Sequence, residues 1–301
     1  MQKKNYINGI LIINKAQDLT SHDVVNFLRR KLNIKKVGHA GTLDPMATGV
    51  LVMCIGKATK ISEYLMSNSK TYIADLSFGY ETDTLDKTGE IIKRNNYIPD
   101  EESLEKCLKS FLGKTNQVPP MYSAIKYNGR KLYELARMGK TVELKERKIE
   151  IKSIEIEKKL SDKSYRLIID CSSGTYIRSL VRDIAYSLNS LATLEGLVRT
   201  RSGRFAIEES LNLEDLDKLS LDEIKEKIIS TDEALANFKS YSIPSFFYDK
   251  IINGVAFKAE ADFRDNELVK LYCKNKFIGI ANYYSNEEFT GFKMKKMLKG
   301  E

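Results

Sequence analysis

The chain has 301 residues and a formal net charge of +8, and 42% of its residues are hydrophobic. This length allows a sizeable core and predicts one large domain plus a small one. The net positive charge indicates a polyanionic partner; alternatively, the charge serves only to keep the protein soluble. Two histidines and four cysteines without a C-x-x-C pair predict no zinc or iron site, and the lack of a long apolar run predicts a soluble, cytoplasmic protein.

The pattern of apolar residues predicts the helices and strands of the large domain. In chain order they are a strand over 9–14, a helix capped at 20–21 that reaches 32, a strand over 50–55, a helix over 57–66, a strand over 72–78, a helix over 103–112, strands over 149–156 and 165–171, and a helix over 177–188. In the 103–112 helix we expect Leu104, Leu108, Phe111 and Leu112 to face inward. Strands and helices mix without a regular βαβ rhythm, which predicts an α+β protein.

An acidic segment and a strand-rich tail follow. Residues 208–233 hold 10 acidic and 3 basic side chains with interspersed leucine and isoleucine. We therefore expect helices that cover the core there, rather than a disordered linker. The rest of the chain is correspondingly more basic. Beyond residue 240, short alternating runs predict a small strand-rich module.

The most informative segment is Gly38-His39-Ala40-Gly41-Thr42-Leu43-Asp44-Pro45. Its glycines permit turns that other residues resist, Pro45 biases Asp44 toward an extended backbone, and a buried strand is predicted to follow. A fixed loop on a core strand can present a carboxylate for catalysis, whereas an isolated Asp-Pro would be an ordinary surface turn. The whole string resembles the signature loop of the bacterial tRNA pseudouridine synthases of the TruB family, in which this aspartate is the catalytic residue.

Four further segments resemble the same family, and with the loop they cover most of the first 205 residues. They are Ile12-Ile13-Asn14-Lys15 with Leu19-Thr20-Ser21, Lys70-Thr71-Tyr72, Ser172-Ser173-Gly174-Thr175-Tyr176-Ile177-Arg178, and Leu197-Val198-Arg199-Thr200-Arg201-Ser202-Gly203-Arg204-Phe205. Small departures at Ala40, Thr42 and Val198 touch no residue with a proposed chemical role. The C-terminal module resembles the family only weakly.

The resemblance implies a role for each matched residue. By this resemblance, Asp44 is the nucleophile, and Tyr72 contacts the target base and can take part in the proton step. His39 fills the space left by the flipped base, and Leu197 lines the uridine pocket. By the same resemblance, Tyr176 lies beside the substrate at a helix start, and Lys15 contacts a phosphate. Taken singly, such residues are more often structural. An ionised nucleophile also needs a fixed counter-charge, and we expect Arg178 to provide it by pairing with Asp44.

The chemistry accounts for these residue types. Isomerising uridine to pseudouridine breaks the N-glycosidic bond and joins the sugar to carbon 5 of the same base. A carboxylate can attack the nucleoside or stabilise positive charge at the anomeric carbon, while a base removes the carbon-5 proton. Hydrolysis ordinarily uses a second carboxylate, and these motifs contain none, which favours isomerisation. Because substrate and product are isomers, we expect no cofactor.

The resemblance also implies the domains and the partner. We expect a mixed, largely antiparallel catalytic domain over 1–239 and a small PUA-like β-barrel module over 240–301 that grips RNA without bond chemistry. Residues 126–148 hold 8 basic and 3 acidic side chains, and they resemble part of a thumb-like insertion, about 120–148, that closes on the T-arm of tRNA. The implied protein is a monomer without a membrane partner that modifies uridine 55.

Three alternatives stay open. A relative of the same superfamily could modify another RNA or depend on a guide RNA, although the compact C-terminus and the thumb-like insertion argue against a guide. A non-catalytic RNA-binding or RNA-folding protein would not need Asp44, Tyr72 and Arg178 together. A nucleoside hydrolase would need an aspartate-rich calcium-type site, which the chain lacks.

Overall fold

A computed structural model describes residues 7–298 of the chain. The strands are, in chain order, β1 (Gly9–Lys15), β2 (Val37–His39), β3 (Thr48–Ile55), β4 (Lys70–Phe78), β5 (Tyr80–Thr82), β6 (Ile91–Arg94), β7 (Gly113–Gln117), β8 (Lys126–Tyr127), β9 (Arg130–Lys131), β10 (Arg147–Ser161), β11 (Ser164–Cys171), β12 (Ala192–Ser202), β13 (Phe205–Ala206), β14 (Leu211–Asn212), β15 (Ser240–Ser242), β16 (Phe257–Lys258), β17 (Leu268–Cys273), β18 (Lys276–Ser285) and β19 (Thr290–Met297). The α-helices are α1 (Ser21–Leu32), α2 (Ser62–Met66), α3 (Glu101–Ser110), α4 (Leu132–Arg137), α5 (Ile177–Ser187), α6 (Leu213–Lys218), α7 (Leu221–Glu226), α8 (Thr231–Ala234) and α9 (Tyr248–Ile252). Within the described range, no helix has the length and apolar character needed to span a bilayer.

The first two elements show how the sequence specifies a sheet that is buried on both faces. In β1 the apolar residues from 10 to 13 alternate between two cores, because neighbouring strand residues point to opposite faces. Helix α1 begins after Thr20, whose hydroxyl accepts from the Asp23 amide while the Asp23 carboxylate accepts from the Thr20 amide. The helix ends at Leu32 and is capped by Asn33, which adopts the left-handed conformation with φ 53°.

Within residues 7–298, ten strands form one continuous sheet in the order β14-β1-β3-β12-β4-β11-β10-β7, with β2 beside β3 and β13 beside β12. Its pairings are antiparallel except β1–β14 and β3–β12, which are parallel. Helices α1, α3, α5, α6 and α7 contribute to the core on one face, and α2 and α8 contribute to the core on the other. The predicted α+β architecture with a mixed, largely antiparallel sheet is confirmed.

The C-terminal strands form a second sheet, in the order β15-β17-β18-β19-β16, around an aromatic core of its own. The Phe292 ring lies at its centre, with ring centroids 5.3 Å from Phe257 and 4.9 Å from Tyr283. This sheet curls into a half-barrel, in agreement with the small β-barrel module expected there. The predicted boundary between 239 and 240 stays a prediction, and residues 1–6 and 299–301 of the two predicted domains lie outside the described residues.

This C-terminal sheet also shares a core with the large sheet. Ile280 and Leu298 are fully buried in the same apolar cluster as Val50 and Val52 of β3. A truncation between the two sheets would therefore expose part of the large sheet, so point substitutions are the cleaner way to test what the C-terminal module contributes.

We expect Ile280→Ala to lower the free energy of unfolding of the whole protein by about 2–4 kcal/mol, because a fully buried side chain is removed from the shared core. Urea denaturation measures this change. Leu160→Ala is the matched control, because Leu160 is 39% exposed. Equal, small losses in the two variants would contradict the shared core.

The structure corrects some predicted details. The helix predicted over 103–112 begins and ends two residues earlier as α3, so Leu112 lies beyond it and is 47% exposed; its predicted inward position is wrong. The segment 57–66 is a 3₁₀ turn followed by the single turn of α2. The acidic segment forms α6, α7 and α8, and Leu216 and Ile224 are fully buried. This confirms the prediction that the segment forms helices that cover the core.

Candidate active site

The Asp44 loop joins β2 to β3, and its backbone is hydrogen-bonded to the rest of the protein. The Leu43 amide donates to Ser21 Oγ at 2.9 Å, and the Ser21 hydroxyl donates to the Leu43 carbonyl at 3.1 Å. The Asp44 carbonyl accepts from the Ala47 amide at 3.1 Å, which closes a tight turn. Leu43 and Ala47 are buried on either side of the half-exposed Asp44. The fixed loop that the sequence predicts is therefore present.

The buried side chain of Lys15 anchors this loop through backbone carbonyls. Its side chain is fully buried, and its ammonium donates to the carbonyl oxygens of Ala16, Leu19 and Pro45 at 2.9, 2.7 and 3.1 Å. Burial lowers the pKa of Lys15 to about 8. The predicted contact between Lys15 and a phosphate is wrong, because its three donor positions are all used inside the protein; it anchors the backbone beside Asp44 instead.

The Asp44 carboxylate is paired with Arg178. Its Oδ2 lies 2.8 Å from Arg178 Nη2, and its side chain is 36% exposed whereas that of Arg178 is only 4% exposed. The predicted ion pair is confirmed. Because the guanidinium approaches from the interior, it fixes the direction of the carboxylate and leaves part of the carboxylate surface open to a ligand.

Arg178 connects the Asp44 loop to two other segments. Its Nη1 donates to the Thr84 carbonyl at 2.9 Å, and its Nη2 donates to the Tyr122 carbonyl at 2.8 Å. Its Nε lies 3.6 Å from Oδ2 of Asp86, a carboxylate that is itself 5% exposed. Asp86 therefore balances the buried charge of Arg178 and helps to orient it.

Tyr72 and Leu197 lie on adjacent central strands. Tyr72 of β4 is paired in register with Arg199 of β12, and Leu197 is paired with Ala74. Tyr72 is 7% exposed and Leu197 is 8% exposed. Burial raises the pKa of Tyr72, and the charge of Arg199 offsets this only in part. Tyr72 is therefore a neutral phenol near pH 7.

His39 and Tyr176 lie at the ends of elements that flank the site. His39 ends β2, opposite Met53 of β3. Among the described residues its buried Nδ1 has no hydrogen-bond partner, and burial together with the charge of Arg199 lowers the pKa of its imidazole. Tyr176 precedes α5 and is held by Gln117, whose Oε1 accepts from the Tyr176 amide at 2.9 Å and whose Nε2 donates to its carbonyl at 3.1 Å.

Three residues to which the sequence analysis gave no role complete this site: Asp86, Gln117 and Arg199. The run Asp83-Thr84-Leu85-Asp86 is rich in turn-forming residues and was a signal for a structured turn. Arg199 shares the strand face of Leu197 by the two-residue period, and a charged residue at a core position is a signal of function or of a special structural contact. No local pattern distinguishes Gln117 from any other polar residue at a strand end.

The chain is similar to known proteins over almost its full length. Residues 29–177 match the family model described as "TruB family pseudouridylate synthase (N terminal domain)". A Clostridium tetani protein named tRNA pseudouridine synthase B is 42% identical over 296 residues, which span 97% of this chain and 100% of that protein. A protein of the same name from Francisella tularensis is 44% identical over 285 residues, which span 93% of each chain.

Solved structures share the fold at lower sequence identity. A chain in the crystal structure of a Cbf5-Nop10-Gar1 complex has a TM-score of 0.74 and 22% identity, over 96% of this chain and 84% of that one. A chain in an H/ACA RNP bound to a substrate RNA containing 2′-deoxyuridine has a TM-score of 0.73 and 20% identity, over 97% and 85% of the two chains. These likenesses extend through both the large sheet and the C-terminal sheet.

Proposed function

Because the chain belongs to the TruB family of pseudouridylate synthases, we propose that it is a tRNA pseudouridine synthase whose target is uridine 55 in the T-loop. The observation that carries the proposal is the Asp44–Arg178 ion pair, in which a buried guanidinium directs a partly exposed carboxylate at 2.8 Å. A carboxylate held in this way suits attack on a nucleoside or stabilisation of positive charge at its anomeric carbon.

The proposed reaction is an isomerisation centred on Asp44. The bond between ribose C1′ and uracil N1 breaks, and its electron pair leaves with the base. The uracil turns until C5 faces C1′, the new carbon–carbon bond forms, and Asp44 is restored. A base accepts the C5 proton and N1 gains one proton, so the product has the same atoms and charge as the substrate. The overall change involves no oxidation or reduction.

The surrounding residues are proposed to hold the flipped uridine. Tyr72 stacks on the base, and its raised pKa favours this role over that of a phenolate base at neutral pH. Leu197 forms an apolar wall, and Tyr176 lies at the start of α5 beside the substrate. His39 occupies the space that the base vacates in the RNA loop, where a lowered pKa keeps the imidazole neutral for stacking.

Hydrolysis is disfavoured by the surroundings of the second carboxylate. Asp86 lies near Arg178, but it is 5% exposed and its Oδ1 already accepts from the Thr88 amide at 3.0 Å and the Thr84 hydroxyl at 2.8 Å. A carboxylate engaged in this way is poorly placed to activate a water molecule at the ribose. Asp86 fits a role in orienting Arg178.

Binding of the T-arm is assigned to the thumb-like insertion. The insertion is attached to the active site at Tyr122, whose carbonyl accepts from Arg178 at 2.8 Å. Beyond it, β8 and β9 form a hairpin around an Asn-Gly turn, with Lys126 and Arg130 exposed and Lys131 half-buried against Tyr133. A basic hairpin connected to the catalytic arginine is suited to contact phosphates on either side of the target loop.

We expect alanine at Lys126, Arg130 and Lys131 together to weaken tRNA binding and to flatten its dependence on salt, by about one unit of logarithmic slope per lost phosphate contact. Filter retention over a range of salt concentrations measures the slope. Alanine at Lys106, Lys109 and Lys114 removes the same charge from another exposed surface and is the control. Identical slopes in the two triple variants would show that the hairpin is only a solvated surface.

The remaining proposals concern the assembly. The C-terminal module contains none of the proposed catalytic residues, so we propose that it helps to bind the tRNA and takes no part in the bond chemistry. The proposed working form is a monomer in the cytoplasm, the compartment in which tRNA is used in translation.

The function is tested with the purified protein and unmodified RNA transcripts. Chemical mapping of pseudouridine should show modification of a tRNA at position 55 and of an isolated T-arm hairpin. A tRNA with cytidine at that position should remain unmodified. Modification at another uridine, or only in a ribosomal RNA fragment, would favour a relative with another target, and binding without any modification would favour a non-catalytic RNA-binding protein.

A further inference from the structure

We propose that Arg199 is a positioning residue of this active site, which holds the Asp44 loop in its reactive geometry through the carbonyl groups at both ends of the loop. The inference rests on the proposed function, because it assigns a role in that reaction to a residue that touches no substrate.

The guanidinium of Arg199 spans the loop. Its Nη2 donates to the Gly41 carbonyl at 3.1 Å and its Nη1 donates to the Thr42 carbonyl at 3.3 Å, at the start of the loop. Its Nε donates to the Val50 carbonyl at 2.7 Å, where the loop has entered β3. Asp44 lies between these two attachments, so one planar guanidinium fixes the distance between the ends of the segment that carries the proposed nucleophile.

A glycine at position 49 allows the backbone of β3 to approach Arg199 closely. Gly49 and Arg199 are paired in register between β3 and β12. A Cβ atom at Gly49 would lie 2.3 Å from the Arg199 carbonyl oxygen, and Gly49 has a φ of 100°, so only glycine fits there. Arg199 is also opposite Tyr72 on its other side. It thus lies between the strand that leads from the Asp44 loop and the residue proposed to stack on the base.

Burial distinguishes this arginine from one that binds RNA. Arg199 is 1% exposed, and within residues 7–298 no carboxylate lies within ion-pair distance of it. Burying an uncompensated charge is costly unless its hydrogen bonds are satisfied. Three of its five N–H groups donate to backbone carbonyls here, and a neutral apolar side chain would leave these three carbonyls without this donor. The contacts therefore favour a role in loop geometry over a role in packing alone.

The experiment compares Arg199→Met with Arg201→Met. Arg201 lies on the same strand, is 37% exposed and pairs with Asp170 at 2.8 Å, so its substitution removes the same charge without touching the Asp44 loop. Three quantities are measured for each variant: tRNA affinity, the single-turnover rate of pseudouridine formation, and amide hydrogen exchange in peptides that cover residues 41–50.

We expect Arg199→Met to convert tRNA about a hundredfold more slowly than the unsubstituted protein, because a small displacement of a reacting group is sufficient for such a loss. Its tRNA affinity should be unchanged, and exchange should accelerate in residues 41–50 while the rest of the sheet keeps its protection. Arg201→Met should match the unsubstituted protein in conversion rate and in loop exchange. A merely structural role would accelerate exchange throughout the sheet.

Arg199→Lys keeps the charge but offers one ammonium that cannot span both ends of the loop, and it provides the same test should Arg199→Met not fold. Wild-type rate and loop exchange in either folded variant would overturn the proposal. Failure of both variants to fold, with Arg201→Met folded, would assign Arg199 to stability alone and would also overturn it. Absence of conversion by the unsubstituted protein would instead reject the proposed function, and loop exchange would still report on the positioning role.

Discussion

Asp44→Asn is expected to reduce pseudouridine formation below detection while tRNA affinity stays within about twofold of the original value. The amide keeps the shape of the side chain but removes its charge and most of its nucleophilicity. We expect RNA affinity to depend on phosphate contacts elsewhere on the surface, so the substitution should leave binding intact while it abolishes the chemistry. Filter retention and chemical mapping of pseudouridine on one preparation measure the two quantities.

Asp75→Asn is the matched control for this substitution. Asp75 also forms an ion pair with an arginine, Arg166, at 2.6 Å, and its side chain is 23% exposed. It lies on β4 outside the proposed site, so the control should convert tRNA at the original rate. Parallel losses of activity in the two variants would mean that any disturbed aspartate–arginine pair inactivates the protein, and that Asp44 has no special role.

Arg178→Met is expected to lower the single-turnover rate by about a hundredfold to a thousandfold, because Asp44 loses the charge that directs it. Arg178 is buried, so tRNA affinity should change much less than the rate. The same substitution should lower the free energy of unfolding by about 3–5 kcal/mol, because it leaves the Asp86 carboxylate buried without its counter-ion.

A second variant separates the two effects of Arg178→Met. Combining it with Asp86→Asn removes the unpaired buried charge, so the double variant should regain part of the lost stability in urea denaturation. Its conversion of tRNA should remain as low as that of Arg178→Met. Recovery of activity together with stability would show that Arg178 supports the fold and does not act on Asp44.

The sequence predicted the parts of this site that depend on short segments. The Asp44 loop, the strand after it and the start of α5 each follow from a few consecutive residues. The Asp44–Arg178 pair follows from the need of a carboxylate for a counter-charge together with the resemblance of both segments to the family. The strands of the α+β sheet follow in the same way from a continuous apolar run, as in β1, or from an alternating one, as in β4.

What the sequence did not reveal depends on backbone groups far apart in the chain. Arg178 binds the carbonyls of Thr84 and Tyr122, which are 94 and 56 residues away, and Lys15 binds the carbonyl of Pro45, 30 residues away. A carbonyl group is present at every position, so no residue pattern marks it as the partner of a buried cation. This is why Lys15 was expected at the surface on a phosphate and was found beneath the loop.

We propose that Asp44 carries out the isomerisation of one uridine in the T-loop of tRNA. The most direct measurement is single-turnover conversion of an unmodified tRNA transcript by excess protein, read at each uridine for the unsubstituted chain and for Asp44→Asn. We expect complete conversion at position 55 by the unsubstituted protein and no conversion at any position by the variant. Conversion of that uridine by Asp44→Asn at a comparable rate would show that Asp44 is not the catalytic residue.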